Sequence, residues 1–160
     1  MSDDIAFLDA CDAADRIKSK DVTAVEVTET VIGRAERLQP TLNAFISLEA
    51  DVALEAADEV DGRIARGETV GALAGVPLAH KDMYYREGKV TTCGSKIRAD
   101  YVADRTATVI ARLEEAGALH LGDLNMSEFA VGPIGNNVHY GDCHNPWNPE
   151  HAPGGSSSGS

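Results

Sequence analysis

The chain has 160 residues, of which 43% are hydrophobic, and it carries 26 acidic against 14 basic side chains, a formal net charge of −12. This length suits one domain with a sizeable core, and the apolar content excludes an intrinsically disordered chain. Binding to bare nucleic acid is also excluded, because phosphate recognition needs clusters of lysine and arginine. The acids are spread along the chain, which favours an acid-coated surface suited to concentrated salt over that of an ordinary acidic protein.

The N-terminal residues Met1-Ser2-Asp3-Asp4 are acidic, and no long apolar run follows them. Secretory signals begin with a basic segment before an apolar core, and a membrane-spanning helix needs about 20 apolar residues. The sequence therefore predicts a cytoplasmic protein without a membrane segment.

Three cysteines, Cys11, Cys93 and Cys143, form no CxxC pair. This pattern argues against a disulfide scaffold and against a tetrahedral zinc site. His139 and His144 lie near Cys143 in the sequence. Because no further ligand is nearby, the pattern favours a plain loop over a metal site or a thiol–imidazole pair.

Apolar spacing predicts three helices and one strand in the first part of the chain. The sequence Thr23-Ala-Val-Glu26 is a capping box, which predicts the start of the second helix, and Gln39-Pro40 predicts its end. The full set is a helix over residues 5–18, a helix from Thr23 to Gln39, a strand over 43–48 and a helix from 50 to about 67. Residues 1–67 are therefore a mainly helical lead-in, without an assigned chemical role.

From residue 68 onward, helices and strands alternate. Gly71, Gly75 and Pro77 frame a predicted buried strand that carries Lys81 at its end, and the proline favours an edge position or a strand that begins there. The further predicted elements are a loop over 91–95, a helix over 107–116 capped by Gly117, a strand over 118–121, a turn over 122–126 and a short helical piece through Phe129. This order predicts an α/β layered sheet, in which loops at strand ends bind ligands.

Lys81 follows the apolar segment Val76-Pro-Leu-Ala-His80 and precedes Tyr84-Tyr85. Burial disfavours the charged form of an amine, so a lysine in such surroundings is a candidate base. Pairing with Asp82 would oppose this, although neighbours on a strand point to opposite faces. From spacing alone, a solvated surface lysine remains the alternative.

The residues Pro153-Gly-Gly-Ser-Ser-Ser-Gly-Ser160 combine glycines with Ser156, Ser157 and Ser158. Such a run is typical of a flexible linker. A phosphate loop is rejected, because Ser160 stands where that motif needs lysine. A serine–lysine hydrolase, in which a neutral lysine accepts a proton from a serine, is the third interpretation.

Two blocks, Gly75-Val-Pro-Leu-Ala-His-Lys81-Asp82 and Pro153–Ser160, resemble the opening motifs of the amidase signature family, whose members use a serine–cis-serine–lysine triad. Three further blocks resemble more closely one branch of it, the glutaminase subunits of aspartyl/glutamyl-tRNA amidotransferases: Leu42-Asn-Ala-Phe-Ile46, Asn125-Met-Ser-Glu-Phe-Ala130 and Asn145-Pro-Trp147. The resemblance covers essentially the whole chain. It implies the N-terminal part of the amidase signature fold, a mixed sheet flanked by helices, with the catalytic core starting near residue 68.

The resemblance assigns two site residues. Lys81 matches the family's lysine, and Ser156, the first serine after two glycines, matches its bridging serine, which follows a cis peptide bond. The nucleophile, the oxyanion hole and the substrate-binding residues are expected beyond Ser160. The chain is therefore expected to be an N-terminal fragment, truncated before the nucleophile and inactive alone.

The resemblance also implies a reaction and partners. The expected reaction is hydrolysis of glutamine, with the ammonia used to convert Glu-tRNA(Gln) to Gln-tRNA(Gln). The expected partners are a kinase-like, tRNA-binding subunit that uses ATP and Mg, and a small linking subunit, in a heterotrimer. No cofactor or metal is expected in this chain. The alternatives are a stand-alone amidase-signature hydrolase of small amides and a non-catalytic module that ends in a Gly/Ser linker.

Two positions and one four-residue stretch depart from the pattern of the glutaminase-subunit branch. Ser127 stands where that branch has aspartate, and Ser158 stands where it has glycine. Pro133-Ile-Gly-Asn136 replaces its serine-threonine loop.

Overall fold

The computed structural model describes residues 5–160, which contain four α-helices, three strands and three short 3-10 helices. The α-helices are α1 (Ala10–Ser19), α2 (Ala24–Leu42), α3 (Ala50–Ala65) and α4 (Thr108–Glu115). The strands are β1 (Phe45–Leu48), β2 (Pro77–Lys81) and β3 (Leu119–Leu124), and the 3-10 helices are Ile5–Phe7, Lys96–Arg98 and Glu128–Ala130. The predicted α/β class is confirmed. None of the helices in this range is both long and apolar enough to cross a membrane.

The start of the first helix lies later than predicted. Residues Ile5–Phe7 form a separate 3-10 turn, and α1 begins only at Ala10. The cause is Asp9, whose carboxylate accepts hydrogen bonds from the backbone N–H groups of Cys11 and Asp12 and so caps a new helix.

The capping box of α2 is confirmed. The Thr23 backbone N–H donates to the Glu26 carboxylate (2.8 Å), and the Glu26 N–H donates to the Thr23 hydroxyl (3.0 Å). Asp61 of α3 adds a second cap, because its two carboxylate oxygens accept from the N–H groups of Ala24 (2.8 Å) and Val25 (3.1 Å). These contacts satisfy donors that a helix start otherwise leaves unpaired.

The predicted end of α2 at Gln39-Pro40 is wrong, because the helix continues through Pro40 to Leu42. Proline removes one backbone donor, but the following turn still closes through a hydrogen bond from Asn43 N–H to the Gln39 carbonyl (2.9 Å). The Gln39 side-chain amide also binds both backbone groups of Phe45, at 2.8 and 2.9 Å. This contact ties the helix end to the first residue of β1.

The three strands form one sheet in the order β1–β3–β2, and β1 runs antiparallel to β3 with Phe45 opposite Leu124. The predicted turn after Leu121 is wrong, because β3 continues through Gly122. A Cβ on that glycine would lie 2.3 Å from the backbone oxygen of Ser47. The glycine therefore marks a close approach of two strands rather than a turn.

Strands β2 and β3 run parallel. The Leu119 N–H donates to the Val76 carbonyl, and the Asp82 N–H donates to the Leu124 carbonyl, so the bonds advance in the same direction along both strands. The sheet is therefore mixed, as the resemblance implies. Lys81 is the last residue of β2.

The position of β2 is the one that Pro77 predicts. The strand begins at Pro77 and lies at the edge of the three-stranded sheet. The prediction of a buried strand is wrong, since all five residues are only half-buried. A strand at an edge is covered by a neighbouring strand on one side only.

The described residues fold as two compact units. The first comprises the residues up to Glu36, Glu49–Leu78 and Ala111–Leu121, and the second comprises Arg37–Leu48, Ala79–Ile110 and Gly122–Ser160. The first unit has an apolar core from α1, α2, α3 and β3, with Ile17, Val27, Ala57, Val60, Ile64 and Leu119 among its buried residues. The second unit contains both predicted site residues.

Candidate active site

Lys81 and Ser156 lie side by side. The Nζ atom of Lys81 is 2.8 Å from the Oγ atom of Ser156, although the two residues are 75 positions apart in the sequence. Both are half-buried. The peptide bond between Gly155 and Ser156 is cis, as the resemblance implies. The structure thus brings the two predicted site residues together, while their catalytic roles stay a prediction.

The surroundings of Lys81 favour its neutral form. Burial lowers the pKa of the Lys81 amine below its ordinary value. The adjacent buried carboxylate of Asp82 is turned to the following loop, where it accepts hydrogen bonds from the Thr92 N–H (3.0 Å), the Thr92 hydroxyl and the Gly94 N–H (3.1 Å). The pairing with Asp82 that would oppose a neutral lysine is therefore replaced by loop contacts.

The loop that carries Ser156 is fixed by backbone contacts. The Ser127 N–H donates to the Ser156 carbonyl (3.1 Å), and the Gly159 N–H donates to the Asn125 carbonyl (2.9 Å). A Cβ on Gly159 would lie 2.1 Å from the Ala44 carbonyl oxygen. A flexible linker makes no such contacts, so the linker interpretation of this run does not fit the structure.

A second loop, residues 132–136, packs against the cis peptide bond. A Cβ on Gly155 would lie 2.9 Å from the Gly135 nitrogen and 3.0 Å from the Gly132 oxygen. Only glycine therefore permits this approach of the two backbones. The two loops are therefore in close contact at Gly155.

The three departures from the glutaminase-subunit pattern lie close to one another. A Cβ on Gly132, the residue before Pro133, would be 3.5 Å from the Ser127 Oγ atom and 3.7 Å from the Asn136 Oδ1 atom, and one on Gly135 would be 2.7 Å from the Ser158 Cβ. Both serines are buried, and within residues 5–160 neither hydroxyl has a hydrogen-bond partner. The changed positions are therefore neighbours in space.

Sequence reasoning missed two buried asparagines near the site. The Asn125 amide donates to the carbonyls of Asn43 (3.0 Å) and Gly141 (3.1 Å), and its oxygen accepts from the Met126 N–H (2.8 Å). Asn137 makes an analogous set of contacts to other loops. Asn125 is the first residue of a block quoted for the family resemblance, but no periodic pattern marks either side chain as a structural link.

Sequence reasoning also missed a hydrogen-bonded cluster around one carboxylate, that of Glu128. The Ser95 hydroxyl donates to the Glu128 carboxylate (2.5 Å), and His139 Nε2 lies 2.8 Å from the same oxygen. The hydrogen bond from Ser95 makes the largest contribution and the one to His139 the next largest, and together they hold the pKa of Glu128 below its ordinary value. The cluster fixes the 3-10 turn Glu128–Ala130 against the loop that contains Ser95.

The cysteine and the histidines considered from the sequence have separate partners. The Cys143 thiol donates to the Ser158 carbonyl (3.0 Å), and His144 Nδ1 lies 2.8 Å from the Pro149 carbonyl. His139 faces Glu128. Burial raises the pKa of the Cys143 thiol, which is the opposite of what a reactive thiolate needs. These contacts agree with a plain structural loop.

Solved structures with this fold are amidases and related proteins. The native peptide amidase of Stenotrophomonas maltophilia superposes with a TM-score of 0.88 at 34% identity, covering 97% of this chain and 33% of that one. A protein from a vestigial complex connected with the evolutionary origins of an s-triazine catabolic enzyme superposes with a TM-score of 0.90 at 38% identity, covering 96% of this chain and 34% of that one. The fold is thus of the amidase class.

The sequence comparison is more specific. A family model described as Amidase matches residues 26–160. The glutamyl-tRNA(Gln) amidotransferase A subunit of Azotobacter vinelandii is 48% identical over 144 residues, which is 90% of this chain and 30% of that protein. The chain belongs to the amidase signature family, which confirms the resemblance seen in its motifs. It spans about 30% of the length of the curated relatives that it matches.

Proposed function

We propose that this chain carries the lysine–serine part of an amide-hydrolysing site in the glutaminase subunit of a tRNA-dependent amidotransferase. The observation that carries the proposal is the 2.8 Å contact between the Lys81 amine and the Ser156 hydroxyl. The choice of subunit is supported by 48% identity to the amidotransferase A subunit of Azotobacter vinelandii over 90% of the chain.

In the proposed mechanism, the neutral Lys81 amine accepts the proton of the Ser156 hydroxyl. Ser156 in turn takes the proton of an attacking serine supplied by the longer protein, as that oxygen forms a bond to the carbonyl carbon of the amide. The protonated lysine returns a proton through Ser156 to the leaving nitrogen, so ammonia leaves and an acyl ester remains. Water then hydrolyses the ester by the same proton path. A positioned base of this kind contributes about 10²–10⁴-fold to a rate.

The proposed substrate is glutamine, and the ammonia is used to convert Glu-tRNA(Gln) to Gln-tRNA(Gln). The proposed partners are a kinase-like subunit that binds the tRNA and uses ATP and Mg, and a small linking subunit of a heterotrimer. Assigning tRNA binding to the partner subunit is consistent with the net charge of −12 on this chain, because the partner then supplies the contacts to the tRNA phosphates. We place the complex in the cytoplasm.

The acidic surface supports a further part of the proposal, function in concentrated salt. The outer face of α3 exposes four carboxylates, those of Asp51, Glu55, Asp58 and Glu59. Like charges at such density repel one another in dilute solution, and salt screens that repulsion. We therefore propose a halophilic source for this chain.

The test replaces Lys81 by alanine in a protein as long as the curated relatives and measures glutamine hydrolysis. Lys96→Ala is the matched control, since Lys96 is an exposed lysine of the same unit. We expect Lys81→Ala to lose about 10²-fold or more in kcat and Lys96→Ala to keep the parent rate. A Lys81→Ala protein as active as its control would remove Lys81 from the mechanism.

A stand-alone hydrolase of small amides is the second candidate, favoured by the likeness to the peptide amidase of Stenotrophomonas maltophilia. Two results separate the candidates. Co-purification with partner subunits and ATP-dependent amidation of Glu-tRNA support the amidotransferase. Hydrolysis of free amides by an isolated chain that forms no complex supports the stand-alone enzyme.

A further inference from the structure

One short stretch, residues 125–129, makes contacts on two sides, and we call it the bridging segment. On one side it holds the loop of Ser156, through the hydrogen bonds from Ser127 N–H to the Ser156 carbonyl and from Gly159 N–H to the Asn125 carbonyl. The position of the Ser156 hydroxyl therefore depends on the position of this segment.

On its other side the bridging segment holds the loop of residues 92–95. The Phe129 N–H donates to the Cys93 carbonyl (2.9 Å), and the Ser95 hydroxyl donates to Glu128 (2.5 Å). The same loop is anchored to the carboxylate of Asp82, the residue next to Lys81. The bridging segment is thus linked directly to Ser156 and, through the 92–95 loop, to Asp82, the chain neighbour of Lys81.

The side-chain amide of Asn137 joins these two sides directly. Its nitrogen donates one proton to the Gly94 carbonyl (2.8 Å) and the other to the Met126 carbonyl (2.7 Å). Its oxygen accepts from the N–H groups of His139 (2.8 Å) and Tyr140 (3.0 Å). The residue is 2% exposed, and these four contacts use both donors and both acceptor lone pairs of the amide.

The backbone at Gly94 is shaped for this contact. A Cβ at that position would lie 2.8 Å from the Asn137 side-chain nitrogen and 2.9 Å from the Met126 oxygen, and its φ of +68° favours glycine. Glycine therefore allows the amide to reach both carbonyls at once.

We propose that Asn137 is a positioning residue for the Lys81–Ser156 pair. Its amide keeps the loop anchored beside Lys81 at a fixed separation from the bridging segment, which holds the loop of Ser156. Without the amide, two buried carbonyls lose their donor, the two parts move apart, and water reaches the Lys81 amine. The inference rests on the proposed role of Lys81 as a base.

The test measures the titration of Lys81 by NMR in the 160-residue chain, with lysine side chains labelled at the ε-carbon and the Lys81 signal assigned by its loss in Lys81→Arg. The variant is Asn137→Ala, which is uncharged, so a shift is not a direct charge effect. Asn136→Ala is the control, because Asn136 is the exposed neighbour. A structural role alone would lower the melting temperature without moving this titration.

We expect the Lys81 pKa to be below 10.5 in the parent chain and in Asn136→Ala, and to rise toward 10.5 in Asn137→Ala. A rise of about one unit means tenfold less neutral amine at a given pH. An unchanged titration in a folded Asn137→Ala chain overturns the inference and leaves the proposed function standing. A parent Lys81 that titrates at 10.5 overturns the base role itself, and the inference with it.

If circular dichroism shows Asn137→Ala to be unfolded, Ser95→Ala takes its place, because it removes a second side-chain link between the same loop and the bridging segment. A rise of the Lys81 pKa in Ser95→Ala supports the bridging arrangement. An unchanged titration there overturns it.

Discussion

The buried carboxylate of Asp82 offers the sharpest test of how the site is held. It accepts three hydrogen bonds from one loop, those of the Thr92 N–H, the Thr92 hydroxyl and the Gly94 N–H. A hydrogen bond to a charged group contributes about 1.5–3 kcal/mol, and such contributions do not add fully. Asp82→Ala leaves the two N–H groups and the hydroxyl without this acceptor, so we expect a loss of about 3–5 kcal/mol in unfolding free energy.

Asp82→Asn separates charge from shape. The oxygen of the introduced amide can still accept from Thr92 N–H, and the Thr92 hydroxyl already accepts from Gly94 N–H (3.1 Å), so we expect a smaller loss of about 1–3 kcal/mol. Urea unfolding followed by circular dichroism measures both variants, with Asp100→Asn, an exposed aspartate, as the control. The reasoning is refuted if Asp82→Asn and Asp100→Asn unfold at the same urea concentration.

Two further predictions concern the amine and the serine loop. Burial lowers the pKa of Lys81 in the folded chain, so the unfolded chain binds more protons between that pKa and 10.5. The stability of the parent relative to Lys81→Met should therefore rise with pH across this window, by at most about 1.4 kcal/mol per pH unit. A stability difference that stays constant with pH in urea titrations would contradict this prediction. Gly159→Ala should cost about 1–3 kcal/mol or more, because its Cβ would lie 2.1 Å from the Ala44 oxygen. Gly33→Ala is the control, with the opposite expected sign: Gly33 lies on α2 with nothing within 4 Å of an added Cβ, so the variant should gain about 0.5–1 kcal/mol of stability. Equal melting temperatures for Gly159→Ala and Gly33→Ala would show that the contact at Gly159 is unimportant.

Local signals predicted most of the fold because they act over a few residues. The capping box at Thr23 and the glycine at Gly117, with φ of +91°, mark helix ends through contacts that lie within one turn. The pairing of Lys81 with Ser156 came from the family resemblance, since nothing in a spacing of 75 residues indicates a contact.

Two of the errors in the predicted elements have different causes. Gly122 looked like a turn residue, but it is required by the close approach of Ser47 on β1. Pro40 looked like a helix end, but the next turn closes around it through Asn43. At Gly122 a contact with another strand overrides the local turn preference, whereas Pro40 is tolerated near the helix end because the next turn closes without a donor from the proline.

The kind of residue that holds the site together explains why these residues could not be predicted from the sequence. The apolar core lies in the first unit, whereas the second unit, which holds Lys81 and Ser156, buries a set of polar residues that includes Thr91, Thr92, Ser95, Asn125, Ser127 and Asn137. Apolar packing tolerates small sliding movements, but a hydrogen bond weakens steeply when its geometry changes. The buried amides of Asn125 and Asn137, which are fully hydrogen-bonded, therefore fix a specific arrangement of the loops, and we propose that Asn137 thereby helps to set the distance between the Lys81 amine and the Ser156 hydroxyl. Periodicity detects apolar faces, so a site held by amides and backbone carbonyls leaves no periodic trace.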